Sequence, residues 1–217
     1  MSTTRGRFIT FEGGEGAGKS TQVRKLVAAL QARGIETVAT REPGGSPNAE
    51  ALREALLAGL VAPLGPAAEA LVFSAARIDH LDKLIRPALA RGAFVVCDRF
   101  ADSTRAYQGA SGKLADSFID GLEAITVGDT QPDLTLILDL PVEEGLARAS
   151  KRRGGGEVDR FEAEDVSFHR ALRQSFLAIA AAHPERCVVI DATQPMDIVA
   201  AGIWRAVEQR LLERTQA

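Results

Sequence analysis

Residues Gly13-Gly14-Glu15-Gly16-Ala17-Gly18-Lys19-Ser20 carry the pattern G-x-x-x-x-G-K-[ST], the signature of a phosphate-binding loop. Glycines let such a loop turn tightly, so that successive N–H groups point inward at phosphate oxygens. Lys19 has the reach for β- and γ-phosphates, and the Ser20 hydroxyl can ligate Mg²⁺. A helix starting at Lys19 would add the partial positive charge of its N-terminus. A chance glycine-rich turn is the alternative, but an apolar run at 7–11 precedes the pattern and a helix-like stretch at 19–33 follows it. The chain is therefore expected to bind a nucleoside triphosphate and to act on its γ-phosphate.

Three further groups fit phosphoryl chemistry. Asp98 closes the apolar run at 94–97, where a carboxylate can hold the shell of a metal ion. Its neighbour Arg99 offers a rigid fork for a second phosphate group, which makes sense if the acceptor itself carries phosphate. Residues 148–160 hold Arg148, Lys151, Arg152, Arg153, Gly154, Gly155, Gly156 and Arg160. That segment reads either as an exposed basic loop or as a hinged lid bringing cations over a polyphosphate. Glu15 is unusual, because a carboxylate facing bound phosphates is repelled. It is expected to face the acceptor instead, with a solvent-facing side chain as the alternative. A guanine-selecting N-K-x-D segment is absent, which argues against a GTPase.

Elements able to position these groups alternate along the chain. Strand-like runs lie at 8–11, 36–40, 94–97, 134–138 and 187–190, several of them apolar on both faces. Helical patterns fill 20–32, 49–58, 67–90, 114–127, 142–151, 163–182 and 196–213. Alternation of this kind implies an α/β fold: a three-layer α/β/α sandwich over a five-stranded parallel sheet, in one domain spanning 1–217 with a lid at about 148–160. In such sheets ligands bind at the carboxyl ends of the strands. The motifs fall there, after the first, second, third and fifth runs.

Composition sets limits. Of 217 residues, 46% are hydrophobic and 25% charged, with a net charge of −3, so no global basic field invites nucleic acid. No run approaches the ~20 apolar residues of a membrane span, and residues 1–7 lack the apolar stretch of a secretory signal. Cys97 and Cys187 each sit in a strand-like run and read as core residues; His80, His169 and His183 show no metal-ligand spacing. A cytoplasmic setting fits all of this.

Several segments occur together and in order: Phe-Glu-Gly-Gly-Glu-Gly-Ala-Gly-Lys-Ser at 11–20, Arg-Glu-Pro-Gly-Gly at 41–45, Phe-Ser-Ala-Ala-Arg at 73–77, Asp-Arg-Phe at 98–100, Ser-Thr-Arg-Ala-Tyr-Gln-Gly at 103–109 and Pro-Asp-Leu-Thr at 132–135. The chain thereby resembles the bacterial thymidylate kinases over nearly its whole length. That resemblance implies a P-loop nucleoside monophosphate kinase, using Mg²⁺ and ATP to phosphorylate dTMP, and working as a cytoplasmic homodimer. It implies ATP contacts along 13–21, ending at Thr21, with Arg148, Thr193 and Gln194 on the adenine side. It implies a dTMP site walled by Glu42 and Pro43, with Arg53 and Arg99 at the acceptor phosphate. Phe73 would stack on the thymine ring, Arg77 would donate to a base carbonyl, and Thr104 and Gln108 would face the base edge. Tyr107 would crowd the sugar 2′ carbon, and Glu15 would contact the sugar hydroxyl or metal-bound water. Read without the resemblance, Glu42-Pro43-Gly44 is a surface turn, Phe73 a core residue, Arg77 a surface cation, Tyr107 a core aromatic, and the 191–195 loop a helix N-terminus capped by Asp191 or Thr193.

Two features depart from the family pattern. Phe100 stands where tyrosine or histidine is commoner. The phosphate loop also carries no arginine, so the catalytic cation is expected from the lid, with the choice between Arg152 and Arg153 left open. Two rivals remain: another small-molecule kinase on this scaffold, such as a deoxynucleoside kinase with Glu15 as base, and a non-catalytic ATP switch.

Overall fold

A computed structural model describes residues 5–111, 114–154, 161 and 163–213. Five parallel strands form one sheet: β1 (Phe8–Glu12), β2 (Thr37–Arg41), β3 (Phe94–Asp98), β4 (Leu134–Asp139) and β5 (Cys187–Asp191), in the spatial order β2-β3-β1-β4-β5. Every residue of β1 is buried, as is all of β4 except Asp139, which explains why these runs lack the alternation of a half-exposed strand. On one face, Ile9, Phe11 and Leu136 pack against Val23 and Leu26 of α1 (Lys19–Gln31) and Ile203 of α9 (Met196–Val207). On the other, Phe8, Val95 and Cys97 meet Leu81, Ile85 and Leu89, while Ile137 and Cys187 meet Leu172 and Phe176 of α8 (Val166–Ala182). Fully burying one such leucine or phenylalanine contributes about 1.5–3 kcal/mol. Both cysteines are buried and unpaired, and burial pushes both thiols up, Cys187 to about 12.

Chain order changes direction at β1. The first crossover carries the chain past β3 to β2; the later ones build β4 and β5 on the opposite side. The crevice opened at the carboxyl ends of β1 and β3 is where a sheet of this type binds ligands. β1 feeds the glycine loop at 13–18, and β3 ends on Asp98 and Arg99.

Several elements differ from the sequence expectation. The helical pattern at 67–90 divides into α3 (Pro66–His80), a π-helical turn (Leu81–Ile85) and α4 (Arg86–Ala90). Pro87 has no N–H to donate, so the ladder must adjust just before it. Residues 101–111 form helix as well: α5 (Ala101–Thr104) runs into a π-helical turn (Arg105–Ser111). That stretch has little apolar periodicity, and Tyr107 and Ala106 gain their burial by packing against α8. Helix α8 starts at Val166 rather than 163, because the Asp165 side chain accepts from Phe168 N at 2.8 Å and caps it there. The 191–195 loop is not a capped helix N-terminus: Asp191 accepts from Thr193 N and Oγ1 at 2.9 and 2.6 Å, and α9 begins after Pro195 without a side-chain cap. Among the described residues no helix is long and apolar enough to cross a membrane.

Candidate active site

A cleft of about 430 Å³ runs along the carboxyl ends of β1, β2 and β3. Its phosphate end is made of the glycine loop. Lys19 Nζ donates to the Gly13 and Gly14 carbonyls, both at 2.9 Å, so the ammonium is held inside the turn. Burial, reinforced by nearby Arg99, pushes the Lys19 pKa down. Ser20 Oγ donates to Asp98 Oδ2 at 2.7 Å, bringing the loop hydroxyl and the β3 carboxylate together at the exposed side of the loop. One hydroxyl and one carboxylate form a sparse, all-oxygen pair. That suits Mg²⁺, which keeps several waters and shares its shell with substrate phosphates.

The middle of the cleft is an ion-pair cluster. Arg99 Nη2 donates to Glu15 Oε1 at 2.5 Å, and Tyr107 Oη donates to the same oxygen at 3.1 Å. Burial alone would raise the Glu15 pKa, but Arg99 and Lys19, with help from Tyr107 and Arg152, outweigh it and bring it to about 2. Glu15 is therefore a carboxylate turned toward Arg99 and Tyr107. Arg99 has a left-handed backbone (φ 70°), a conformation that costs a non-glycine residue about 1–3 kcal/mol. Buried Glu12 holds that bend: it accepts from Phe100 N at 2.7 Å and from Ser103 Oγ at 2.6 Å, and Arg99 Nη1 donates to Ser103 Oγ at 3.3 Å. Burial, then the charge of Asp102, pushes Glu12 up to about 8.

The far end is built from separate segments. Pro43 and Glu42 come from the turn after β2, joined by a cis peptide bond, and Arg53 Nη1 of α2 (Pro47–Leu57) donates to the Pro43 carbonyl at 2.8 Å. Phe73 and Arg77, four apart on α3, both line the cleft. Arg77 is 3% exposed; its Nε donates to Glu42 Oε2 at 2.8 Å and its Nη2 to Thr104 Oγ1 at 3.0 Å. Thr104 and Gln108 line the same end from α5 and the turn after it. Phe161 closes it, with its ring 6.2 Å from Phe73 and 5.5 Å from Tyr107.

Helix α7 (Val142–Arg153) rests directly on the loop. A Cβ on Gly145 would lie 2.4 Å from the Glu15 carbonyl oxygen, so only glycine permits this approach. Arg152, seven residues on and thus on the same face, lines the cleft. Arg153 continues the helix in its backbone, and Gly154 ends it in the left-handed region. Gly155, Gly156 and Arg160 lie outside the described residues, as does the side chain of Arg153.

The structure thus gathers Glu15, Gly16, Gly18, Lys19, Ser20, Thr21, Glu42, Pro43, Arg53, Phe73, Arg77, Asp98, Arg99, Thr104, Tyr107, Gln108 and Arg152 around one cleft. It does not bring Gly13, Gly14, Ala17, Arg148, Thr193 or Gln194 into that lining; Arg148 Nη1 instead donates to the Ala192 carbonyl at 3.1 Å, tying α7 to the loop after β5. Sequence reasoning missed Phe161, Arg24, Arg41, Leu57 and Ser103 as lining residues. Phe161, an aromatic flanked by charges at the end of the basic segment, was the most legible of these.

Sheet, loop and two-ended cleft define a P-loop protein with room for a second ligand facing the triphosphate end. Comparisons narrow this class. A family model for thymidylate kinase matches residues 11–203. Thymidylate kinase of Rhodopseudomonas palustris is 60% identical over 214 residues, covering 98% of this chain and 93% of the relative. That of Nitrobacter winogradskyi is 57% identical over 208 residues, covering 96% and 90%. A crystal structure of thymidylate kinase from Ehrlichia chaffeensis superposes with a TM-score of 0.75 at 32% identity, covering 94% of this chain and 99% of that one. The chain belongs to the thymidylate kinase family.

Proposed function

We infer that this chain transfers the γ-phosphoryl group of ATP to dTMP, giving ADP and dTDP. One observation carries the reading: a cation fork, Arg99, held by Glu15, stands between the phosphate loop and a far end lined by Phe73, Arg77, Thr104 and Gln108. A protein that only bound ATP would have no use for the far end. The acceptor oxygen belongs to a phosphate that is already anionic, so no general base is required, and catalysis is positioning plus charge neutralisation. Lys19 leaves the loop carbonyls to meet the transferring phosphate, while Arg99 and Arg53 hold the acceptor phosphate. Phe73 packs on the pyrimidine and Arg77, Thr104 and Gln108 address its edge. Tyr107 stands beside the sugar. Arg152, from the loop-seated face of α7, supplies the cation that the loop lacks; a cation of this kind can be worth roughly 10³-fold or more in rate. Ser20 and Asp98 would hold Mg²⁺, which neutralises charge on the donor phosphates when bound. Arg148, Thr193 and Gln194 mark the adenine side, supported by the Arg148–Ala192 tie.

Residues 1–217 are read as one catalytic domain with its lid at about 148–160. A homodimer is supported by an apolar stripe: Leu71 and Ile78 on α3, and Phe118 and Ile125 on α6 (Asp116–Thr126), are 38–81% exposed and spaced seven apart on two packed helices. Two unpaired thiols support a cytoplasmic setting. The test is steady-state ADP formation with dTMP, thymidine or no acceptor. Turnover only with dTMP supports the reading. A preference for thymidine would point to a deoxynucleoside kinase, and acceptor-independent behaviour to a switch.

A further inference from the structure

His80 plays no part in the reading above, yet it sits behind the base pocket at the centre of a buried relay. Its ring is fully buried. Nδ1 lies 3.1 Å from Glu42 Oε1, and Nε2 lies 2.7 Å from Thr40 Oγ1. A carboxylate can only accept, so Nδ1 carries a proton and donates it to Glu42, leaving Nε2 facing the Thr40 hydroxyl. The other oxygen of Glu42 accepts from Arg77 Nε at 2.8 Å. Each carboxylate oxygen thus has one dedicated partner, one from the pocket and one from behind it. Arg77 in turn donates to Thr104 Oγ1 and to the Phe100 carbonyl.

The same ring braces the wall of the pocket. A Cβ on Gly45 would lie 2.4 Å from His80 Nε2 and 2.5 Å from Thr40 Oγ1. Gly45 also has φ +88°, where a side chain is strained. The second glycine of Arg-Glu-Pro-Gly-Gly is therefore needed because the imidazole fills the space beside it. Next to it, Ser46 Oγ and Asn48 Nδ2 donate to Asp79, so the residue before His80 ties the following helix to α3.

We propose that His80 is a positioning residue for the acceptor: by fixing Glu42 through Nδ1, it sets the fork of Arg77 against the base edge. The proposal rests on the reading of the far end as the dTMP site. Its consequence is a selective effect. Loss of the Nδ1–Glu42 bond frees the carboxylate to swing, and the Arg77 guanidinium moves with it. Acceptor affinity falls, while the ATP end, built on a different loop, is untouched.

Two substitutions separate positioning from plain packing. An asparagine amide occupies the place of Nδ1, so His80→Asn keeps a donor toward Glu42 and loses Thr40. A glutamine amide reaches the place of Nε2, so His80→Gln keeps Thr40 and loses Glu42. Steady-state kinetics at saturating co-substrate should show the KM for dTMP within about threefold of wild type in His80→Asn, and raised about tenfold or more in His80→Gln, the loss expected for one hydrogen bond to a charged group. The KM for ATP should stay level in both. Equal KM values for dTMP in the two variants, raised or not, would overturn the proposal. Because the site is fully buried, Thr40→Val at a half-buried strand position serves as a second probe that does not depend on those proteins folding. Removing the hydroxyl that faces Nε2 leaves the Nδ1–Glu42 bond in place, as His80→Asn does, and should keep the KM for dTMP within about threefold of wild type and that for ATP unchanged; a rise of about tenfold in the KM for dTMP overturns the role. Arg77→Ala run alongside separates the two levels. If it leaves the KM for dTMP unchanged, the placement of the base edge falls and this proposal with it. If it raises that KM while both His80 variants match each other, only the role of His80 falls.

Discussion

The two ends of the cleft are built on different principles. At the phosphate end, one continuous segment of eight residues supplies backbone N–H groups, one lysine and one hydroxyl, and Asp98 at the end of β3 joins it from elsewhere. At the acceptor end, side chains from the turn after β2, from α2, α3 and α5, and from Phe161 converge on a pocket that no single segment encodes. The first can be lifted into many proteins; the second exists only when the sheet brings its parts together. On the proposed function, generic phosphate binding resides in the loop and acceptor choice in a buried side-chain network. Substitutions should divide accordingly, those at the loop and lid acting on turnover and those at the far end acting on the acceptor.

The largest effect is expected from Lys19→Ala. Losing the cation on the transferring group should lower kcat by roughly 10³-fold, with circular dichroism unchanged. Near-normal kcat would dissolve the contrast from the phosphate side. Arg152→Ala comes next: kcat should fall up to roughly 10³-fold while the KM values for ATP and dTMP move little, in rapid-quench or coupled assays. An unchanged kcat would remove α7 from the catalytic machinery.

Arg77→Ala sharpens the contrast from the other end. It should raise the KM for dTMP by about 10–100-fold and leave that for ATP alone. It should also lower the melting temperature, because it strands the buried Glu42 carboxylate with one partner fewer. If ATP suffers equally, the two ends are not separate.

Legibility followed the same division. The loop and all five strands could be read from local pattern, because a buried parallel strand is a short apolar run and a phosphate loop has fixed spacing. The α5 segment could not, because its helicity comes from α8 packing against Ala106 and Tyr107 rather than from its own periodicity. Nor could the roles of Glu12 and His80: a glutamate at the end of a strand and a histidine in a helix carry no local sign of partners 88 and 38 residues away. The lid arginines were visible as a cluster, but only the seating of Gly145 on Glu15 distinguishes Arg152 by its face.

The smallest effect concerns Glu12, which holds the bend at Arg99. Folded Glu12 sits at about 8 against an ordinary 4.5, so the folded state keeps a proton that the unfolded chain releases in between. The associated stability is complete below pH 4.5 and is lost as pH rises toward 8. Glu12→Gln has no such titration. Its melting temperature relative to wild type should therefore climb across that window, by about 2–4 °C for each kcal/mol recovered. A flat difference would mean Glu12 is not a buried, proton-holding strut.

The central claim is that the far end of the cleft is a pyrimidine mononucleotide site. A crystal structure of the protein soaked with dTMP tests it most directly. The phosphate should lie against Arg99, the ring beside Phe73, and a ring carbonyl within hydrogen-bond distance of Arg77. A nucleotide seated elsewhere, or a far end left empty at saturating dTMP, would contradict it.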